Sequence, residues 1–267
     1  MREQIIVRTV TKKSETYGEY EIVFVKPAAA IVTLCTFTSN PDITMYLTTR
    51  AYKGIYEPDP ALGLADGEKY YVEDALEDVQ KTKLQTPLEM VHMLWSLQDV
   101  TRAFTHQIVR YRVGTAFVQE SMRFFGMHKT FKVLVTHEAA SDTAGPRNTI
   151  LDQYCYGAVA AIDSYVDLLG RGVPDQDARG VLPTNILTNI YFDCSLRTLQ
   201  NIFPQRLCCQ AQQGEWQPIL REMRKQIGEQ MGDSVEALLR APYERGEDCG
   251  YRASFDRPCT WQKEQIA

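Results

Sequence analysis

The sequence predicts an α+β fold, and three observations carry that prediction. Short β-branched runs crowd the N-terminal part, and helical periods dominate beyond residue 149. No regular strand–helix alternation joins the two parts. Residues 4–10 and YEIVFV at 20–25 read as strands by length and β-branched content. Residues 51–85 carry many charges among Gly54, Pro58, Pro60, Gly63 and Gly67, which predicts surface loop or a short helix. Apolar character returns over 86–124, and FKVLVT at 131–136 is a further strand. Residues 149–170 give the clearest helix, with Leu151, Tyr154, Cys155, Ala158, Ile162, Tyr165 and Leu169 at three- and four-residue spacing. Gly170 and Gly172 suit its end. Pro174 opens a second helical turn, where Asp175 and Asp177 meet the positive end. Residues 195–213 and 215–231 read as two more helices, and 242–259 has no clear period. Neither a repeat nor a composition shift divides the chain, so one domain over 1–267 is expected.

Composition narrows the function classes. The 267 residues are 44% hydrophobic and 24% charged, the balance of an ordinary folded chain. Lys+Arg of 29 against Asp+Glu of 34 leaves a net charge of -5, a poor basis for gripping a nucleic-acid polymer or an anionic membrane. The longest strongly apolar stretch, at 28–35, is far short of the ~20 residues of a membrane-spanning helix. MREQIIVRTV lacks the apolar core of a signal peptide, and a cytoplasmic location is expected. The seven cysteines are odd in number and form no CxxC, which argues against a disulfide framework and a zinc site. The four histidines are scattered without metal-ligand spacing, and no metal is expected.

Chemistry concentrates in three segments. The first runs from Gln107 through Arg110, Tyr111 and Arg112 to Gln119, Glu120, Ser121 and Arg123. Between 102 and 123 it holds Arg102, Arg110, Arg112 and Arg123 against the single acid Glu120. On a helix, Arg110 and Arg112 would point to different sides and could grip two anions. Backbone N–H groups, a hydroxyl and a guanidinium around Gln119–Arg123 suit a phosphate. A solvated arginine-rich helix is the plainer alternative. The second segment is Gly172-Val-Pro174 followed by Ala178-Arg179 and Val181-Leu182-Pro183. The third is Ser195, Arg197, Asn201, Arg206 and Gln210. Arg197 and Asn201 share a helical face, so Asn201 is either a satisfied core amide or a ligand contact. Arg206 is costly to bury without an anion or polar ring against it.

Together the three segments, spanning roughly residues 86–216, resemble the flavin-dependent thymidylate synthase family. That family carries Arg-His-Arg, seven residues and Ser, then Gly-Val-Pro…Ala-Arg-x-Val-Leu-Pro, then a helix with Arg, Asn and Arg at matching intervals. The resemblance implies an α+β homotetramer with active sites built between subunits. It implies that Arg110, Tyr111, Arg112, Ser195, Arg197, Asn201 and Gln210 contact FAD. It places Gln107, Arg110, Gln119, Glu120, Ser121, Arg123, Arg179 and Arg206 around a uridine monophosphate, with Arg179 lent by another subunit. Arg206 would contact the pyrimidine, promote ionisation at N3 and be the catalytic residue. Methylenetetrahydrofolate would supply the carbon, reduced FAD the hydride, and NADPH the flavin's electrons. Ser121 would only hydrogen-bond, since no histidine is placed to activate it.

Departures sharpen the expectation. Tyr111 replaces the signature histidine, Met90 stands where a histidine is usual near flavin, Ser195 replaces an asparagine, and Gln210 a histidine. Eight residues, Val113–Glu120, separate Arg112 from Ser121, one more than the signature. Read as a loop around the nucleotide, this stretch would enlarge the sugar pocket and admit a ribose 2′-hydroxyl. That pattern resembles the UMP/dUMP methylase branch of peptidyl nucleoside antibiotic pathways. The alternatives are a strict dUMP enzyme, a hydroxymethylase, and a non-catalytic flavin- or nucleotide-binding regulator.

Overall fold

The computed structural model describes residues 6–26, 30–52, 54, 56, 79, 85–123, 129–136, 139–140, 149–207 and 214–246. Seven strands appear in chain order: β1 (Ile6–Ser14), β2 (Gly18–Val25), β3 (Ile31–Phe37), β4 (His92–Thr101), β5 (Thr115–Gln119), β6 (Thr130–Leu134) and β7 (Leu187–Ser195). The helices are α1 (Pro41–Tyr52), α2 (Thr86–Glu89), α3 (Arg102–Ile108), α4 (Thr149–Gly170), α5 (Asp175–Ala178), α6 (Leu196–Arg206), α7 (Trp216–Met231) and α8 (Asp233–Ala237).

The strands form two sheets, β1-β2-β6 and β3-β4-β7-β5. β1 and β2 make an antiparallel hairpin, whose turn uses Gly18 at φ 85. β6 joins β2 in parallel, a pairing that needs a long crossover. Here the connection carries β3, β4 and β5, three of the four strands of the other sheet. The four-stranded sheet is antiparallel throughout. An isolated bridge between Val133 and Ile186 and an ion pair between Lys132 and Asp99 at 3.1 Å tie the sheets together.

Each sheet buries one face. The smaller presents Ile22, Phe24, Phe131 and Val133 to the Leu151, Cys155, Ala158, Ile162, Tyr165 and Val166 stripe of α4. Tyr20 donates to Asp163 at 2.7 Å and Lys12 pairs with it at 3.1 Å, fastening the hairpin to that helix. The larger sheet presents Met93, Trp95, Leu97, Ile190, Phe192 and Cys194 to α6 and α7. The α7 residues Trp216, Ile219, Leu220, Met223, Ile227 and Met231 are buried at helical spacing. The Gln226 amide donates to Val32 O and accepts from Leu34 N, both at 2.8 Å, which satisfies backbone groups of edge strand β3. The sheet's opposite face is open, with Tyr191 50% and Val118 70% exposed.

The α+β expectation holds as a mixture of sheets and helices, with corrections of detail. The predicted strands at 4–10, 20–25 and 131–136 correspond to β1, β2 and β6. The helix at 149–170 matches α4, although Leu168 and Leu169 are only partly buried. The four strands of the larger sheet were not anticipated. β4 and β7 bury alternate residues, but their polar positions, such as Asp99 and Asn189, blur the pattern. A bulge between Leu97 and Val100 puts Asp99 at φ 55 and shifts the register. The predicted helix at 195–213 ends, among the described residues, at Arg206.

One buried acid crosses this core. Glu215 is 3% exposed and accepts from Thr101 N at 2.6 Å and Thr101 Oγ1 at 2.7 Å. Burial pushes its carboxyl above the ordinary value of 4.5, while the two Thr101 bonds pull it back. The folded chain therefore keeps a proton that the unfolded chain has released, and stability falls as pH rises through the window above 4.5. Glu215→Gln removes that term. Melting curves from pH 4 to pH 7 should show the variant gaining on the wild type as pH rises. A constant difference would exclude the linkage.

Candidate active site

The site is built where β7 runs into α6. Ser195 ends the strand, and its Oγ accepts from Thr198 N at 3.3 Å, capping the helix. The segment after α3 lies across this helix start. Ser195 N donates to Gly114 O at 3.1 Å, and Thr198 Oγ1 donates to Val113 O at 2.7 Å. Gly114 sits at φ 65, and a Cβ there would stand 3.0 Å from Ser195 Oγ and 3.1 Å from Thr198 Oγ1. Glycine is required on both counts.

A cleft of about 820 Å³ opens beside this junction. Its walls include Arg110, Tyr111, Arg112, Ser195, Arg197 and Asn201, six of the seven residues expected at the cofactor. The seventh, Gln210, lies outside the described residues. Arg110 and Arg112 do not lie on a helix, because α3 ends at Ile108 and Arg110 falls in the following turn. Both nevertheless face one cleft. Asn201 is exposed, which removes the core-amide reading. Glu89 pairs with Arg197, leaving the Arg110 and Arg112 guanidinium charges to dominate the cleft. Met90, 51% exposed, and Val113, 79% exposed, add apolar surface. Cation and apolar wall together suit a ligand with phosphates and a flat ring.

Arg206 stands at the C-terminal end of α6, where the helix dipole favours a cation. Its Nη1 donates to Gln107 Oε1 at 2.9 Å and its Nε to the Tyr111 hydroxyl at 3.0 Å. The Tyr111 hydroxyl in turn donates to Gln205 Oε1 at 3.0 Å. Burial cost is met by polar partners rather than by an acid.

The expected nucleotide segment lies elsewhere on the chain's surface. Gln119 Nε2 donates to Thr105 Oγ1 at 3.1 Å. Asn189 Nδ2 donates to Glu120 Oε2 at 2.8 Å, while Asp99 N donates to Asn189 Oδ1 at 3.1 Å. Gln119 and Glu120 border a separate hollow of about 370 Å³ with Gln98, Asn189 and Tyr191. Ser121 and Arg123 are exposed, with Arg123 N donating to Ser121 Oγ at 3.3 Å. Arg179 is half-buried in a short 3-10 turn, its Nε donating to Gln176 O at 3.1 Å. None of Gln119, Glu120, Ser121, Arg123 and Arg179 borders the 820 Å³ cleft.

The stretch Val113–Glu120 corrects the loop picture. Thr115–Gln119 form β5, paired with β7 from Thr115↔Cys194 to Gln119↔Ile190 without a register shift. Phe117 stacks on Phe192 at 5.2 Å within that ladder. Most of the stretch is therefore a regular strand rather than slack chain. Deleting a residue inside β5 would turn its side chains to the other face instead of trimming a pocket.

Sequence reasoning missed Glu89, Thr198, Gln205 and Trp216 as cleft or arginine partners. Gln205 adjoins Arg206, and Glu89 precedes Met90, so neighbourhood was the available signal. Among the described residues, no cluster of three or more His, Cys, Asp or Glu could hold a metal, and no helix is long and apolar enough to cross a membrane.

Comparisons with known proteins bear on this geometry. Residues 33–231 match the family model Thy1, thymidylate synthase complementing protein. A flavin-dependent thymidylate synthase of Saccharolobus solfataricus is 31% identical over 157 residues, 55% of this chain and 56% of that protein. One of Sulfurisphaera tokodaii is 35% identical over 118 residues, 44% of this chain and 43% of the other. The chain thus spans about half the length of these two relatives. For that of Pyrococcus furiosus the match is 26% over 218 residues, 78% of this chain and 82% of the other. Among solved structures, the UMP/dUMP methylase PolB from Streptomyces cacaoi, bound with 5-Br dUMP, superposes with a TM-score of 0.60. It shares 15% identity and is covered to 95%, with 80% of this chain, which is a likeness of fold. With the family model spanning residues 33–231, the chain belongs to the Thy1 family, that of the flavin-dependent thymidylate synthases.

Proposed function

We propose that this protein methylates C5 of a uridine monophosphate and accepts both UMP and dUMP. The observation that carries the reading is Arg206, held by Gln107 and Tyr111 at the end of the helix that lines the cleft. FAD fits the donor set: Arg110 and Arg112 offer charge to its diphosphate, and Met90 and Val113 offer apolar surface to its ring. Bound FAD would supply the hydride that completes the methyl group, with NADPH as reductant and 5,10-methylenetetrahydrofolate as one-carbon donor. The protein's own part is electrostatic. Arg206 donates to the pyrimidine carbonyl edge and stabilises negative charge as N3 ionises, which enriches C5 in electrons without a thiol. A guanidinium suits the task because it presents its N–H donors in a rigid planar fork. Among the described cysteines, Cys155 and Cys194 are buried in the two cores and Cys35 on β3 does not line the cleft.

Gln119–Arg123 and Arg179 do not line the cleft, which supports a site completed between subunits of a homotetramer. The eight-residue spacing between Arg112 and Ser121 is the sequence feature that favours the relaxed sugar preference over a strict dUMP enzyme. The test is turnover of purified protein with FAD, NADPH, methylenetetrahydrofolate and either nucleotide, read by product mass. A gain of one methyl group on both UMP and dUMP is expected. Rejection of UMP would leave a strict thymidylate synthase, a hydroxymethyl mass would reassign the product, and no turnover with either would leave a binding protein.

A further inference from the structure

We infer that Trp216, acting with Tyr111, is a positioning residue that fixes the plane of the Arg206 guanidinium; the inference rests on the proposed role of Arg206. Trp216 opens α7, is fully buried, and packs on Phe104 of α3 with ring centroids 4.3 Å apart. Its face lies against the Arg206 guanidinium, whose Cζ is 4.6 Å from the ring centroid. Its indole N–H donates to Gln107 Oε1 at 2.9 Å, the same oxygen that accepts from Arg206 Nη1 at 2.9 Å.

That shared oxygen sets the Gln107 amide one way round. Both donors lack any acceptor capacity, so a flipped amide would bring N–H against N–H twice. The Gln107 oxygen therefore faces Arg206 and Trp216, and its amide nitrogen is directed away from them. A closed circuit results: Phe104 and Gln107 on α3, Trp216 on α7, and Arg206 on α6 each constrain the next. Tyr111 closes the remaining side. Its hydroxyl takes the Arg206 Nε–H and passes its own proton to Gln205, so both of its roles are filled. Two of the three guanidinium nitrogens are committed, and Nη2 is the one with no hydrogen bond to another described residue. A guanidinium so held offers an incoming carbonyl a pre-set edge instead of a rotating charge.

A purely structural Trp216 would also be buried, so the experiment separates the two roles through Arg206. Tyr111→Phe and Trp216→Phe are placed in the wild-type and in an Arg206→Lys background, which keeps charge but loses the planar fork. Calorimetry with dUMP and with UMP on flavin-loaded protein reads affinity, and turnover is measured alongside. Each change should weaken nucleotide binding about five- to ten-fold with Arg206 present, and by less than about two-fold with Lys. For Trp216→Phe, which does not line the cleft, kcat should fall with affinity while the flavin spectrum stays the same. Equal weakening in both backgrounds, or none with Arg206 present, overturns the inference. Tyr111→Phe carries the test if Trp216→Phe does not fold, because Tyr111 is only partly buried at the cleft. A wild type that binds nucleotide with this coupling but never methylates overturns the functional reading and leaves the positioning role standing.

Discussion

Arg206→Ala is expected to lower methylation about 100- to 1000-fold while the protein stays folded and flavin-loaded. The magnitude follows from the place of the group. A preorganised donor aimed at developing charge is stronger in the transition state than in the ground state, so its loss falls on kcat. Folding should tolerate the change, because Arg206 is only half-buried and pairs with no carboxylate among the described residues. Its removal does free Gln107 Oε1 and the Tyr111 hydroxyl, but each keeps another partner, Trp216 and Gln205. Steady-state kinetics with a flavin absorbance spectrum on the same sample checks both halves. Retained kcat would remove Arg206 from the chemistry. Loss of flavin in parallel would make it a cofactor ligand instead.

Gly114→Val should cost about 2–5 kcal/mol of stability and most of the flavin affinity. A left-handed backbone costs an L residue about 1–2 kcal/mol, and more for a β-branched one. Overpacking against the start of α6 adds about 1–3 kcal/mol, since the first side-chain carbon alone would meet Ser195 Oγ at 3.0 Å. Relief would move either residues 112–114 or the Ser195 cap, and both line the cleft. Thermal melting with and without FAD measures the two effects separately. A variant that melts like the wild type would show that the approach of the two segments is looser than the 3.1 Å bond from Ser195 N to Gly114 O implies.

How far the sequence could be read depended on whether the information was local. The stripe from Leu151 to Val166 repeats with helical period, and α4 follows from it. β1 and β2 announce themselves as strands through their β-branched residues, while their pairing as a hairpin was not read. β4 and β7 did not, because the alternation of Met93, Trp95 and Leu97 is broken by the bulge at Asp99. The arginines were found by type and spacing, yet their seating was misread, since nothing local ends α3 at Ile108. The partners of Arg206 lay beyond local reach. Gln107 is 99 positions away from it, and Trp216 is 109 from Gln107. Only the crossing of α3, α6 and α7 brings them together.

The unbroken pairing of β5 with β7 also limits how the proposed specificity can drift over generations. Chain length is a coarse variable in a ladder of period two, because a single insertion or deletion exchanges the inward and outward sets unless a bulge absorbs it, as between Leu97 and Val100 in β4. Phe117 would leave its stack on Phe192, and the cost would fall on folding before any sugar preference changed. Substitution is the finer variable. Ala116 and Val118 face outward, free of the core, so they can change size one methyl at a time. Selection for a new nucleotide would therefore be expected to leave its mark first at those two alternate positions.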